Sequence, residues 1–260
     1  MDKYLSQNKD HWNEITPIHE QSEMYDVAGF KAGKCMLKPI ELEEMGDVTG
    51  KSLLHLQCHF GMDTLSWARR GAKVTGVDFS DEAIKLAKQL SRETGVKGNF
   101  IQSDIFVLPE VLKEQYDIVF TSYGVLAWIP DLERWAQVIA HFLKPGGYFY
   151  IIEFHPITTV CDDTQTATKP DMVLPYFRKE PIEWAPAPDY ASGLITKTGT
   201  YQWQYPLGEV ITSLINAGLK IEFLHEFPVC NYRALPYMKL AEDGWWHIEG
   251  DPLPLLFSIK

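Results

Sequence analysis

The sequence is poor in several features that would assign it to a protein class. Its 260 residues include only four cysteines, Cys35, Cys58, Cys161 and Cys230, and no two have metal-ligand spacing. A disulfide-stapled secreted module is therefore excluded, and the pattern reads as a reduced, cytoplasmic protein. Basic residues are also scarce, with 24 Lys+Arg against 35 Asp+Glu and a net charge of −11. That balance opposes a nucleic-acid backbone, which is bound by neutralising its phosphates. Arg69-Arg70 and Arg178-Lys179 are the basic doublets, and no basic stripe accompanies them. No apolar run approaches the ~20 residues needed to span a bilayer. The opening MDKYLSQNKDHW has no apolar segment of a secretion signal. The expected partner is a small molecule, with no nucleic acid, no membrane and no metal, for a monomer or homodimer.

What is present is an ordinary globular composition, 45% hydrophobic over a length that allows one elaborated domain or two small ones. The chain is organised around the stretch from Ser52 to Ser80. Leu53-Leu54-His55-Leu56 reads as a buried strand, followed by the tight turn Gln57-Cys58-His59-Phe60-Gly61. A helical pattern with Met62, Leu65 and Ala68 on one face closes at Gly71. A second strand from Lys73 ends on Asp78. Strand, glycine-containing turn, helix, strand and terminal acid form half of a nucleotide-binding α/β unit. A dinucleotide would require G-x-G-x-x-G so that pyrophosphate could lie against the backbone. This turn keeps only Gly61, which weighs against an NAD-dependent enzyme and leaves room for a nucleoside with an amino-acid tail.

LLHLQCHFG resembles the first motif of class I S-adenosylmethionine-dependent methyltransferases, hhDhGCGxG, with G-h-D ending the second strand. The likeness continues through Gln102-Ser103-Asp104, Tyr116-Asp117-Ile118-Val119 and Leu143-Lys144-Pro145-Gly146-Gly147. It covers residues 50 to 155 well and the later strands loosely. Two departures stand out: the motif's acid is His55, and two of its glycines are Gln57 and His59. The resemblance implies a doubly wound, Rossmann-like α/β sheet of about seven strands, the last antiparallel. It also implies S-adenosylmethionine as cofactor and S-adenosylhomocysteine as product.

Along the rest of the chain, residues 1–50 read as an arm covering the cofactor site and 51–260 as the methyltransferase domain. Short helices are expected around Lys9–Ile15 and Lys38–Glu44, with His19, Tyr25 and Phe30 in irregular chain between them. Ser80 is placed to cap a helix with Ala83, Ile84, Ala87 and Leu90 inward. Strands follow at 100–102, 116–121 and 148–154. Asp131 opens a helix that the Pro145-Gly146-Gly147 turn should stop. Residues 156–205 break the alternation with repeated prolines and read as an inserted β/loop lid, a substrate element or a dimer element. A helix over 207–215, a sixth strand over 219–223 and a last strand over 253–259 complete the reading.

Ligands in such sheets bind beyond the carboxyl ends of strands, where strand order reverses. Asp78 is expected to accept both ribose hydroxyls, with Gln57, Cys58 and Gly61 contributing backbone. The resemblance gives Phe79 an adenine face and Asp104, with the Ile105 N–H, the adenine edge; a loop cap and core packing are the alternatives. Tyr123 either lines the sulfonium or packs in the core. Glu153 and His155 stand where a general base for methyl transfer would stand, with His19 a weaker candidate. Structural roles are open for each. His55 and His59 do not make a metal pattern. The function read from all this is methyl transfer to a small-molecule acceptor; a non-catalytic binding or scaffold protein of the same fold is the alternative.

Overall fold

The computed structural model describes residues 3–250 and 253–260. Three helices, α1 (Lys3–Glu20), α2 (Val27–Lys31) and α3 (Pro39–Met45), precede the first strand, β1 (Ser52–Leu56). Then come α4 (Met62–Arg69), β2 (Lys73–Asp78), α5 (Asp81–Thr94), β3 (Asn99–Gln102), α6 (Leu108–Val111) and β4 (Tyr116–Ser122). The chain continues through α7 (Leu132–Phe142), β5 (Leu143–Phe154), β6 (Ile182–Trp184), β7 (Thr200–Gln202) and α8 (Leu207–Asn216). It ends with β8 (Leu224–Phe227), β9 (Lys239–Leu240), β10 (Trp246–His247) and β11 (Leu256–Ile259).

Seven strands form one mixed sheet in the order β3-β2-β1-β4-β5-β11-β8. β1 runs parallel to β2 and β4, and β2 runs parallel to β3. β11 is antiparallel to both β5 and β8 and lies between them. This is the doubly wound, Rossmann-like arrangement expected, with strand order reversing at β1. By packing, the chain divides into two compact units. One holds the chain up to Thr121, Gln137–Phe149 and Ile182–Gln202; the other holds Ser122–Ala136, Tyr150–Pro181 and Trp203–Lys260.

In the first unit the core follows from the sequence pattern. Leu53, Leu54 and Leu56 on β1 and Ile118, Val119 and Phe120 on β4 are fully buried, as central parallel strands require. Ser80 Oγ accepts from the Ala83 N–H and caps α5, whose Ala83, Ile84, Ala87 and Leu90 face inward. Gly61 and Gly76 are held to hydrogen by Phe100: a Cβ would stand 2.5 Å and 2.8 Å from its ring.

Several boundaries differ from expectation. α1 is far longer than Lys9–Ile15 and runs through Pro17, one turn from its end, so His19 is helical. Phe30 lies on α2, capped by Asp26, and not in irregular chain. α7 ends at Phe142, and β5 begins at Leu143 and carries Pro145-Gly146-Gly147 within it, so that turn does not stop the helix. The sixth strand is Leu224–Phe227; upstream, Glu222 N–H donates to the Lys260 carbonyl, and Phe223 both donates to that carbonyl and accepts from Lys260 N–H. The alternation at 219–223 marks half-buried chain before the strand. Residues 156–205 are not one element, since 182–202 belongs to the first unit and the preceding stretch to the second. Their regular part is the antiparallel β6–β7 hairpin.

Phe120 packs edge-on to both His55 and Trp67, with centroids 4.7 Å and 5.7 Å away. Phe120→Ala is expected to destabilise the fold by about 3–5 kcal/mol, because these rigid neighbours cannot close the cavity. Urea unfolding measures it; a loss below ~1 kcal/mol would show that the strand centre is not tightly packed.

Candidate active site

The turn after β1 is built by backbone. Cys58 N–H donates to the Val77 carbonyl at 2.9 Å, and Gly61 N–H donates to Cys58 at 2.9 Å. Gln57 and His59 take φ of 57° and 49°, and Gly61 takes 76°. These are left-handed conformations that glycine adopts freely and side-chain-bearing residues adopt at roughly 1–3 kcal/mol. The glycine-to-glutamine and glycine-to-histidine departures therefore leave the path of the turn intact.

Asp78 closes the turn from the end of β2. Its Oδ2 accepts from His59 N–H at 2.8 Å and its Oδ1 from Ser80 N–H at 2.9 Å. A carboxylate offers about four lone-pair directions, so capacity is left for further donors. Burial raises its pKa to about 6, and the Ser80 and His59 N–H groups only partly oppose this. Cys58 is buried beside it; burial, and then the Asp78 charge, push its thiol well above its ordinary pKa, which rules out a thiolate at neutral pH.

Asp104 follows β3, whose continuation pairs with β2 through Ser103 N–H to the Asp78 carbonyl at 2.9 Å. Asp104 Oδ1 accepts from Phe106 N–H at 2.9 Å, so it caps its own loop; Ile105 is buried, and Phe79 is half-buried. His55, in the place of the motif's acid, is buried. Its Nδ1 lies 2.8 Å from Thr64 Oγ1, and burial lowers its pKa to about 3. It is a neutral core histidine.

In the second unit, Tyr123 sits at φ 43° with its N–H on the Ile152 carbonyl at 2.8 Å and its ring 6.2 Å from that of Phe154. Glu153 is buried. Its Oε1 accepts from Gly124 and Phe154 N–H at 2.5 and 2.6 Å, and its Oε2 from Val125 and Leu126 N–H at 2.7 and 3.0 Å. Four donors fill four lone-pair directions. This corrects the expectation of a general base: Glu153 has no lone pair for a substrate proton and instead clamps the loop after β4. His155 is likewise engaged, its Nδ1 accepting from Ile157 N–H at 3.1 Å and its Nε2 lying 2.9 Å from Glu226 Oε1. Burial lowers its pKa and Glu226 raises it, the former prevailing. Its bare nitrogen is spent on the chain, so it too is corrected from base to loop anchor.

The first unit also gathers residues far apart in sequence. Leu5, Asn8, Trp12, Ile15 and His19 recur at helical spacing along one face of α1. Asn8 exchanges two hydrogen bonds with the Tyr201 backbone, and Glu14 accepts from Lys197 and Thr198 N–H. His19, wholly buried, points Nδ1 at His59 Nε2 (3.0 Å) and Nε2 at Asp189 Oδ1 (2.8 Å). Tyr25 stacks on His19 at 4.7 Å, its hydroxyl bonded to that of Tyr190, and Trp12 meets His59 edge-on at 5.0 Å.

Residues 49–199 match the family described as methyltransferase domain. The chain belongs to this methyltransferase family. It is 35% identical over 118 residues to a ubiquinone biosynthesis O-methyltransferase of Shewanella pealeana, covering 44% of this chain and 50% of that one. The chain thus spans about half the length of that curated relative. Among solved structures, it resembles a putative S-adenosylmethionine-dependent methyltransferase from Listeria monocytogenes. The TM-score is 0.56 at 20% identity, over 89% of this chain and 97% of that one. It also resembles DhpI in complex with SAH, with TM-score 0.53 at 16% identity, over 99% and 96% of the two chains. At these identities the likeness is one of fold.

As a member of this family, the chain has a turn whose own geometry fits S-adenosylmethionine: Asp78 has acceptor capacity left for donors, and Gln57, His59 and Gly61 take left-handed backbone. What the sequence reading missed is Asp189 and the weight of His59. The signal was a histidine in a glycine's place; its partner His19 lies 40 residues away, and Asp189 lies 170 residues from His19.

Two outcomes are expected. Asp78 holds its proton to about pH 6 when folded, against an ordinary value of 3.8, so between these the folded chain binds more protons than the unfolded one. Ligand-free stability therefore falls as pH rises from about 4 to 6, by up to about 3 kcal/mol from this group. Urea unfolding across that range should show the slope in wild type and lose it in Asp78→Ala; equal slopes would mean the carboxyl titrates normally. Glu153→Gln turns an acceptor oxygen into a donor facing backbone N–H groups and should destabilise by about 2 kcal/mol or more. A variant as stable as wild type would show that the clamp carries no energy.

Proposed function

We propose that this chain transfers a methyl group from S-adenosylmethionine to a small-molecule acceptor and releases S-adenosylhomocysteine. The observation that carries the reading is the buried Asp78 carboxylate, closing a left-handed turn at the carboxyl end of β2 with acceptor capacity to spare. That pattern suits a ribose diol. Gln57, Cys58 and Gly61 would hold the cofactor through backbone, and Phe79, Asp104 and Ile105 would hold its base. When bound, the cofactor supplies an activated methyl on a sulfonium. The protein's part is to align the acceptor and keep water out. The curated relative's name, an O-methyltransferase, favours an oxygen acceptor. The net charge of −11 favours a small acceptor over a polyanion.

Four free thiols, three of them buried, agree with a reducing compartment, and we place the protein in the cytoplasm. No helix among the described residues is long and apolar enough to cross a membrane. The α1 helix and 182–202 serve as the cover expected of the arm and insertion.

A second reading, a binding protein without turnover, draws support from the engagement of Glu153 and His155, which removes both expected bases. Production of S-adenosylhomocysteine in the presence of a panel of phenols separates the two. Binding is tested by calorimetry with S-adenosylhomocysteine. Asp78→Ala, folded by circular dichroism, should bind at least ~2 kcal/mol more weakly, as for loss of a charged buried acceptor. Unchanged affinity would sink the ribose contact at Asp78.

A further inference from the structure

Three side chains from α1, the turn after β1 and the segment following β6 form one hydrogen-bonded line whose protons can be placed by elimination. Asp189 is buried. Its Oδ2 accepts from Ala191 and Ser192 N–H at 3.1 and 2.9 Å and from Ser192 Oγ at 2.9 Å. Against the effect of burial, its bond to His19 and these donors hold its pKa below the ordinary value, so it is a carboxylate. It therefore takes the proton of His19 Nε2, 2.8 Å away. With a single proton on His19, its Nδ1 is bare and accepts the Nε2 proton of His59 across 3.0 Å. The tautomer of His59 follows: its Nδ1 carries no proton. That nitrogen is buried and has no hydrogen-bond partner among the described residues.

An unpartnered buried acceptor typically costs about 1–3 kcal/mol, and a left-handed histidine a similar amount. Both penalties fall on His59, at a position where glycine would avoid them.

We propose that Asp189, His19 and His59 form a proton relay whose receiving end, His59 Nδ1, takes a proton from an O–H or N–H donor of the bound ligand. The inference rests on the methyltransferase reading above. The balance is simple. The ligand's proton goes to His59 Nδ1, the His59 Nε2 proton passes to His19 Nδ1, and His19 becomes an imidazolium paired with the Asp189 carboxylate. No charge is left on His59, where burial and His19 disfavour it. The donor is the hydroxyl of a methyl acceptor or the ammonium of the cofactor's amino-acid tail. Other titratable groups around the line are the Tyr25 and Tyr190 hydroxyls and, along α1, His11 with Glu14; Asp78 meets His59 through its backbone N–H.

The test is two-bond 1H–15N correlation of the full chain labelled at histidine, with and without S-adenosylhomocysteine. At pH 8 both His19 and His59 should be Nε2–H tautomers. On acidification they should titrate as one event, with the proton appearing on His19 Nδ1. Asp189→Asn should lower that midpoint by at least one pH unit and Asp189→Glu should restore it, with melting temperatures reporting that both fold. A His59 Nδ1–H tautomer, two independent titrations or an unmoved midpoint in a folded Asp189→Asn overturns the relay. S-adenosylhomocysteine and 5′-methylthioadenosine, which lacks the amino-acid tail, distinguish the donors. A His59 Nδ1 shift with the first alone assigns the ammonium, and no shift with either, both bound, assigns the acceptor hydroxyl. Failure of S-adenosylhomocysteine to bind at all refutes the cofactor reading instead, leaving the ligand-free tautomers to decide the relay.

Discussion

The hydrogen bonds from His59 N–H and Ser80 N–H to the Asp78 carboxylate fix the geometry on which the rest of the site depends. They tie the turn after β1 to the start of α5 through one buried group. The turn can then pass through two left-handed non-glycine residues without unravelling, since the strain at Gln57 and His59 is offset by donors that would otherwise be unpaired. Phe100 seals the same turn from beneath by filling the space beside Gly61 and Gly76.

Two of the buried carboxylates, Glu153 and Asp78, show how the same chemistry takes different roles. Glu153 receives four backbone N–H groups and is fully occupied, which makes it a support for the loop after β4. Asp78 has part of its acceptor capacity open, and burial holds its pKa near 6. A group poised in that way gains from any ligand that brings hydroxyl donors, because they satisfy the charged form that burial disfavours. Occupancy of lone pairs, more than burial, separates the filled Glu153 from Asp78, which can still accept.

Most of the sheet was legible in the sequence because its signals are local. Continuous apolar runs such as Leu53–Leu56 and Ile118–Phe120 can be satisfied only between covered faces, and Ser80 and Gly95 mark the ends of α5 by cap chemistry. The sixth strand was misplaced because Leu219 and Ile221 alternate ahead of the ladder, whereas Leu224–Phe227 owes its strand to β11, a partner that local pattern does not reveal. The same limit explains Glu153 and His155. Glu153 stands near the end of β5 and His155 just after it, as a base would, but their partners in the loop after β4, at Ile157 and on β8 are brought there by a chain course that no spacing encodes. Helix α1 runs through Pro17 to Glu20, although a proline there has no N–H to give the carbonyl four residues back.

The histidine in the turn gains its meaning only from distant chain. Replacing a glycine by histidine there would, in an isolated turn, add strain and a polar ring to be desolvated. With His19 supplied by a helical face that also carries Trp12, and with Asp189 held by its own loop donors, the ring acquires a defined tautomer and a fixed direction. The arm before β1 and the segment after β6 are thus conditions for that residue. A glycine at position 59 would relax the turn and take away the partner of His19 Nδ1. The departure from the family motif and the elaboration around it are parts of one device.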